Sequence, residues 1–521
     1  MVDRRLVVGR AIGRVKAWLL ARERGYVLIL GMLVVFTMFI LGGVLLAQVQ
    51  VNQQRVQRDR AYTQSLAIAE AGLNQYLWMV ASGSSSEANS FGIPGASPAQ
   101  PNKMTFAFLD PYDDSVQGEY TMEIVAPTKD DSHITVTLTG TSHQPVDQSR
   151  TVTAHLGRPA FSEYVMLTND EVRIGGPLDR KWWGKTHSNT GICMETRNIS
   201  DIISCARATY NGSYGNKPGV WSGYEYIVPV SHPSRSLWQF PVPAVDFGTV
   251  TSDFARLNEL AQGTAVNLPY STGTTGFPKP SAHGDTKGWY IQLLPNEKYQ
   301  IRLVTGEYEA WNHKDGNKVG GYLTTTTDGL ADFGISAGAY DYPDDGVIYV
   351  NDNVWIEGTN LHGRITIASS GQLNPSGYTQ STSIHVVGDL TYSEKDGTVA
   401  VGLIAQKNIE IPVYAPYMKG GQISTMDMEI DGAMIAQNGK EYCSGADVMW
   451  APRRDCLTIF GSVSSYHTPY RTRTGNYGGF ENGANEYDAF LLHNPPPHFP
   501  TIGTYQILDW RELPATQALT P

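Results

Sequence analysis

Twenty-three consecutive residues without a formal charge, Gly25 to Ala47, separate Arg24 from Gln48. As a helix this run reaches about 34 Å, enough to cross a hydrocarbon core of about 30 Å. The flanks orient it. Residues 1–24 carry seven cations (Arg4, Arg5, Arg10, Arg14, Lys16, Arg22 and Arg24) against Asp3 and Glu23, a formal +5, and the next cation is Arg55. The positive-inside rule therefore predicts a cytoplasmic N-terminus and export of everything after residue 47. A cleaved secretory signal would show a shorter apolar core and a small-residue cleavage site after it, and this segment shows neither. The expectation is a single-pass anchor.

The helical pattern does not stop at the membrane. Beyond the polar stretch that opens at Val49, Tyr62, Leu66, Ala69, Leu73, Leu77 and Val80 recur at helical spacing, and no proline occurs before Pro94. Residues 26–80 read as one helix of about 80 Å. Its first half dissolves in lipid and its second half is amphipathic. Such a helix needs a folded domain for the second half, and lipid or a bundle of like helices for the first.

A basic leader ending in Arg24-Gly25, an aromatic Tyr26 opening the apolar run, and the later Ala67-Ile68-Ala69-Glu70-Ala71-Gly72-Leu73 are shared with a known family. Over its first eighty residues the chain resembles the PilX-type minor pilins of type IV pili. The resemblance implies that a prepilin peptidase cuts after Gly25, leaving Tyr26 as the new N-terminus. It also implies partners: other type IV pilins, the pilus assembly machinery and, before assembly, the inner membrane, with the pilus or cell surface as the final location. Major pilins carry a glutamate at the fifth mature position, where it neutralises the terminal amine of the subunit above; this chain has Leu30. A lone charge in an apolar core is costly, so a subunit with nothing above it needs no such glutamate, and Leu30 fits a tip position. It fits equally a membrane protein that never assembles.

Without residues 1–25 the chain keeps 32 basic and 48 acidic side chains, a formal −16. Such a surface repels nucleic acid and anionic headgroups at long range. The chain holds 53 Gly, 29 Pro and 28 Tyr, most of them in the exported part, which reads as turn-rich and β-dominated. After a Ser/Gly/Pro linker, three runs alternate with period two: Tyr120, Met122 and Ile124; Ile134, Val136 and Leu138; Val152, Ala154 and Leu156. They predict an antiparallel meander with one buried face, and the amphipathic helix is the stripe available to cover it. The stretch 161–500 is too long for a loop and predicts a second domain. Its later half holds short β-branched runs punctuated by Gly, such as Val347–Val350, Ile365–Ile367 and Leu403–Ala405, which resemble the rungs of a β-solenoid. The irregular period leaves a β-sandwich open. Residues 504–510 could return as a strand to the first sheet. The expected fold class is thus α+β: a long N-terminal helix on an antiparallel sheet, plus a large all-β, β-solenoid-like domain. The expected division is 1–25 leader, 26–80 helix, 81–160 sheet, 161–500 β domain and 501–521 returning strand.

Cys193, Cys205, Cys443 and Cys456 make an even count in an exported region and suggest disulfides. Of three connectivities, the expected one joins neighbours, Cys193 with Cys205 and Cys443 with Cys456, at about 3 kcal/mol each. Metal-binding Cys-x-x-Cys spacing is lacking, and no metal or cofactor is expected. Gly334-Ile335-Ser336-Ala337-Gly338 matches the nucleophile-elbow pattern without the strand and helix that should flank it. Asp341, Asp344 and Asp345 read as a solvated turn rather than a calcium loop. Two basic-aromatic segments are the candidates for DNA or glycan contact: Arg180, Lys181, Trp182, Trp183 and Lys185, and Arg471 with Arg473 beside Asn476 and Tyr477. Arg453-Arg454 lies inside the second cysteine loop. The plainer reading puts the tryptophans at a core edge with the charges snorkelling to water. Taken together, the sequence predicts a non-enzymatic minor pilin, tip-located, presenting a β-solenoid module for DNA capture in natural transformation or for adhesion. The alternatives are a membrane-anchored carbohydrate-active enzyme and a non-assembling envelope structural protein.

Overall fold

The computed structural model describes residues 5–86, 90–175, 181–224, 228–263, 275–277, 286–310, 320–371, 381–412, 414–415, 427–446, 453–471 and 478–514, with side chains described from Val27 onward except at 252, 258–263, 275–277, 309–310, 320–322 and 453. Helix α1, Arg5–Ala81, is a single 77-residue element. Val27 to Arg60 is almost wholly exposed. From Ala61 the helix acquires a buried stripe: Ala61, Ile68, Ala69, Leu73, Tyr76, Met79 and Val80 are all at most 7% exposed. These positions fall at three- and four-residue steps, so they share one face.

That face lies on an antiparallel sheet of β1 (Lys103–Leu109), β2 (Val116–Val125), β3 (Ile134–Ser142) and β4 (Gln148–Gly157), completed by the C-terminal strand Gln506–Leu513 beside β4. Met122, Leu138 and Val152 stand in register across β2, β3 and β4, and all three join the core under the helix. The opposite face carries hydroxyl pairs, Thr105 with Thr121 at 2.9 Å and Thr139 with Thr151 at 3.0 Å, open at Thr105 and closed over at β4, where Thr151 and Thr153 are buried. Period-two alternation is thus resolved as apolar toward α1 and threonine on the far face. Helix and sheet meet closely at Gly140, where a Cβ would lie 2.3 Å from the Ser65 carbonyl oxygen.

Because the last strand pairs with β4, everything between them is inserted into one sheet. The insert is built mainly of parallel strands in ribbons. The longest ribbon runs, in spatial order, Thr275–Phe277, Val347–Val350, Arg364–Ser369, Ala400–Ala405, Asp427–Ala436, Arg453–Ser465, Tyr164–Thr168, Lys185–Ser188, Ile203–Cys205 and Trp238–Gln239. Ten strands at the usual spacing make it about 43 Å tall. A second ribbon joins Gly288–Leu294, Val354–Leu361, Ile384–Tyr392, Ile409–Ile411 and Glu441–Cys443. A third uses the later part of Val354–Leu361, Leu390, Ile430, Ile459 and Gly479–Glu486. Inside, like residues stack: Ile348, Ile367, Leu403, Met434 and Val463 follow one another on successive strands and belong to one apolar core. Outside the long ribbon, Tyr349, Ala368, Ile404 and Ile435 are covered by Phe161, Phe499 and by Val250, Phe254 and Leu257 of α2 (Thr249–Gly263).

The chain enters this stack in the middle. Tyr164–Thr168 begins a run that ends at Trp238–Gln239, α2 then carries the chain back across the outer face, and Thr275–Phe277 starts the run that returns to the entry point. The two runs close against each other where Val463, Ser464 and Ser465 pair with Met166, Leu167 and Thr168.

Candidate functional site

The segment expected to cross the membrane is helical, apolar and bare. Within Val27–Ala81 lies a window of mean hydropathy 2.7, and none of that window is buried. Gly25 and Tyr26, the expected processing site, fall in the helical backbone of α1, with side chains outside the described residues.

The first basic-aromatic segment does not form one surface. Trp182 is 5% exposed in an apolar cluster with Ile192, Met194 and Ile203, and its Nε1 donates to Thr186 Oγ1 at 2.8 Å. Lys185 is ion-paired to Glu163. Lys181 and Trp183 remain at the surface, Nζ lying 5.4 Å from the Trp183 ring centre, with Trp183 56% exposed. Arg180 lies outside the described residues, as do Arg473, Asn476 and Tyr477. Arg471 is turned inward, Nε 2.6 Å from Glu441 Oε2 and Nη1 donating to Asn485 Oδ1 at 2.6 Å. Arg454 is fully buried, stacked 4.0 Å over the Phe480 ring and donating to Pro412 O, Ala415 O and Cys443 Sγ.

The disulfide expectation is corrected: all four cysteines are free thiols. Strand pleating gives the reason, since successive side chains point to opposite faces. Cys205 joins the apolar cluster with Ile192 and Met194, whereas Cys193, between those two in sequence, points the other way. Likewise Cys443 is in the main core with Leu457 and Ile459, whereas Cys456 lies on the half-exposed side with Thr458. Ser336 follows a 3-10 turn (Leu330–Phe333) and precedes a strand (Ala339–Asp341), so the strand-turn-helix setting of a nucleophile elbow is not formed there. Asp341 pairs with Lys298, and Asp345 Oδ1 accepts the Val347 N–H at 3.1 Å. No group of three side chains able to hold a metal occurs among the described residues. Carboxylates line the third ribbon, and three of them are engaged. Asp389 Oδ1 accepts the Glu429 N–H at 2.9 Å, and Lys395 Nζ bridges Glu429 at 2.8 Å and Asp431 at 3.0 Å.

A different aromatic-cation cluster emerges at the rungs near Trp238. Val172–Ile174, Ile192–Met194 and Val220–Ser222 form a small parallel sheet in which Arg173, Cys193 and Trp221 stand side by side. Across that face folds the hairpin Thr209–Gly212 with Gly215–Pro218, whose two-residue turn is Ser213-Tyr214, Gly215 taking φ +77° as a residue without a Cβ can. Glu171 fixes the turn by accepting the Ser213 N–H at 3.0 Å and its hydroxyl. Arg173 donates to Tyr214 Oη and to Glu195. The Tyr214 and Trp221 rings lie 5.5 Å apart at 60°, Lys217 Nζ sits 4.6 Å over Trp221, and Trp221 Nε1 donates to Tyr210 Oη at 2.9 Å. Tyr214 is 49% exposed. Beneath it, burial and then Glu195 push the Cys193 thiol up to about 11, which keeps it protonated and inert. Sequence reading missed this cluster because its members lie up to 50 positions apart, from Glu171 to Trp221; the sequence signal for it was Asn211-Gly212-Ser213-Tyr214-Gly215, a turn displaying an aromatic.

No protein-family model matches the chain, and no curated protein matches it. Among solved structures it matches the crystal structure of the competence-associated pilin ComZ from Thermus thermophilus, at 13% identity and a TM-score of 0.30, over 87% of this chain and 97% of that one.

Proposed function

We propose that the chain is a non-catalytic minor pilin of a type IV pilus, with the parallel stack as a β-solenoid module held out for adhesion or DNA capture. The observation that carries this reading is the single helix α1. It runs from the basic leader through an unburied apolar segment and ends packed on an antiparallel sheet. A simple membrane tether needs no such continuity. A helix whose lower half is bare and whose upper half is clamped by a folded domain is suited to leave the bilayer and pack against like helices. Leu30 in place of the glutamate of major pilins supports a tip position. Among the two surface roles, adhesion is favoured by the state of the cations: Lys185, Arg471 and Arg454 are paired or buried and cannot neutralise phosphates.

The test is the N-terminal residue of the protein recovered from sheared surface filaments of the native cell. Tyr26 at the terminus in the filament fraction is the expected result. An intact leader confined to the membrane overturns the pilin reading.

A further inference from the structure

We infer that the face carrying Tyr214 and Trp221 is a glycan-binding site that takes a neutral sugar, with the C–H face of a pyranose ring lying on Tyr214. The inference rests on the adhesive reading above and names its ligand. Its first support is shape. Tyr214 projects from a two-residue turn, yet it is held from three sides, by the Arg173 hydrogen bond to its hydroxyl, by the Trp221 ring and by the Glu171 clamp on Ser213. A half-exposed aromatic fixed in advance loses little freedom on binding. An aromatic platform with a few fixed polar groups beside it is the usual composition of a small-ligand site. Here Glu171 and Glu195 accept, and Arg173 and Lys217 donate, which suits the hydroxyls at the edge of a sugar.

Charge decides the class of ligand. The four ionised groups of the cluster, Arg173, Lys217, Glu171 and Glu195, sum to zero. A phosphate backbone needs uncompensated cations, which this face does not offer. The surroundings agree. Residues 161–245 hold eight Lys and Arg against seven Asp and Glu, while residues 246–521 hold 17 against 30. The rungs near Trp238 are therefore a neutral end on an acidic stack, where a polyanion gains nothing and meets long-range repulsion from the rest of the molecule. A neutral sugar is indifferent to that field.

The experiment presents the full-length protein in detergent micelles to immobilised neutral oligosaccharides, sialylated and sulfated oligosaccharides and single-stranded DNA, in parallel. Retention of a neutral oligosaccharide is expected, little changed by salt, with an affinity loss of about tenfold or more in Tyr214→Ala at unchanged melting temperature. Trp221→Phe keeps a ring at the second position, and a smaller loss than in Tyr214→Ala is expected there. Absence of any neutral-sugar binding, binding untouched by Tyr214→Ala, or a preference for the anionic ligands that fades with salt overturns the inference. The pilin reading is scored separately. Tyr214→Ala should still be processed to Tyr26 and recovered in sheared filaments, so a lost site with intact filaments and a retained site with an uncleaved leader are distinct outcomes.

Discussion

At the residue scale, the cysteines and one buried aspartate make the sharpest claims. Each neighbouring cysteine pair is split between a core-facing and an outward-facing position, so neither pair can bond without turning a strand over. The chain unfolded in excess N-ethylmaleimide without reductant should therefore take up four alkyl groups by mass spectrometry; two disulfides would give none. Before unfolding, the half-exposed Cys456 should react ahead of the three buried thiols. Asp431 lies 1% exposed under the Tyr392 N–H and Lys395 Nζ, and burial, only partly offset by those contacts, pushes its carboxyl up to about 6. Between the ordinary carboxylate range and that value the folded chain binds more protons than the unfolded one. Stability from this group is then complete at low pH and is lost as pH rises through about 6. The loss amounts to about 3 kcal/mol by pH 7. Asp431→Asn removes the titration. Denaturant melts at pH 4 and pH 7 should show the variant gaining on the parent by roughly that amount, whereas a pH-independent difference would refute the assignment.

At the element scale, α1 and the strands it covers were legible because their periods are long and clean: Leu66, Ala69, Leu73 and Leu77 at helical steps, and threonines alternating with Ile134, Val136 and Leu138. How close the two elements come was not legible from pattern alone. It is set by Gly140, over which the helix backbone passes so tightly that an added Cβ would reach Ala69 N at 2.6 Å as well as Ser65 O. Gly140→Ala should force the helix off the sheet and destabilise the protein by about 2–3 kcal/mol in a denaturant melt. Gly338→Ala, at a glycine with nothing within 4 Å, should change little and serves as the control. The returning strand was suggested by its pattern, and it pairs with β4 from Gln506 to Leu513. Two kinds of element escaped the sequence reading. β1 alternates Met104, Phe106 and Phe108 with the same period of two, but it follows directly on the Ser/Gly/Pro linker and was not separated from it. The rungs from Tyr164 to Gln239 are only two to five residues long, and their pairing partners are defined by stacking rather than by local pattern. The aromatic-cation cluster shares that origin. Arg173 and Trp221 become neighbours through Cys193 only once three such rungs are in register.

At the scale of the whole molecule, the large insert and the helix-bearing sheet hold a fixed orientation only if their joint is stiff. The connection consists of two chain crossings, before Tyr164 and after Asn494, so rigidity has to come from side chains across the joint. Arg364, on the long ribbon and 3% exposed, provides it. Its Nε donates to Lys129 O of the β2–β3 turn at 3.1 Å, Nη1 to Gly397 O at 3.1 Å, and Nη2 to Asn494 O and Pro495 O at 2.8 and 2.7 Å. One guanidinium thus ties the sheet, the stack and the return crossing, with Asn494 reinforcing it through Ser132 Oγ at 2.7 Å and Asp130 O at 2.9 Å. Beside this knot a cleft of about 1020 Å³, lined by Phe91, Arg158, Asp253 and Tyr505 among others, separates the two bodies. Bending about the joint would open or close that cleft if the arginine were lost. A lysine cannot replace it, since a single ammonium has neither the fork nor the number of donors to reach four carbonyls from three segments. Arg364→Lys and Arg364→Met should each lower stability by about 3 kcal/mol, with buried carbonyls left unpaired. The more specific outcome is mechanical. Spin labels on the far face of β3 and on the outer surface of the stack should show one narrow distance in the parent and a broad distribution in both variants. A narrow distribution in Arg364→Met would mean that the apolar packing of Phe161 and Phe499 against the ribbon holds the joint without the arginine, and that Arg364 serves stability alone.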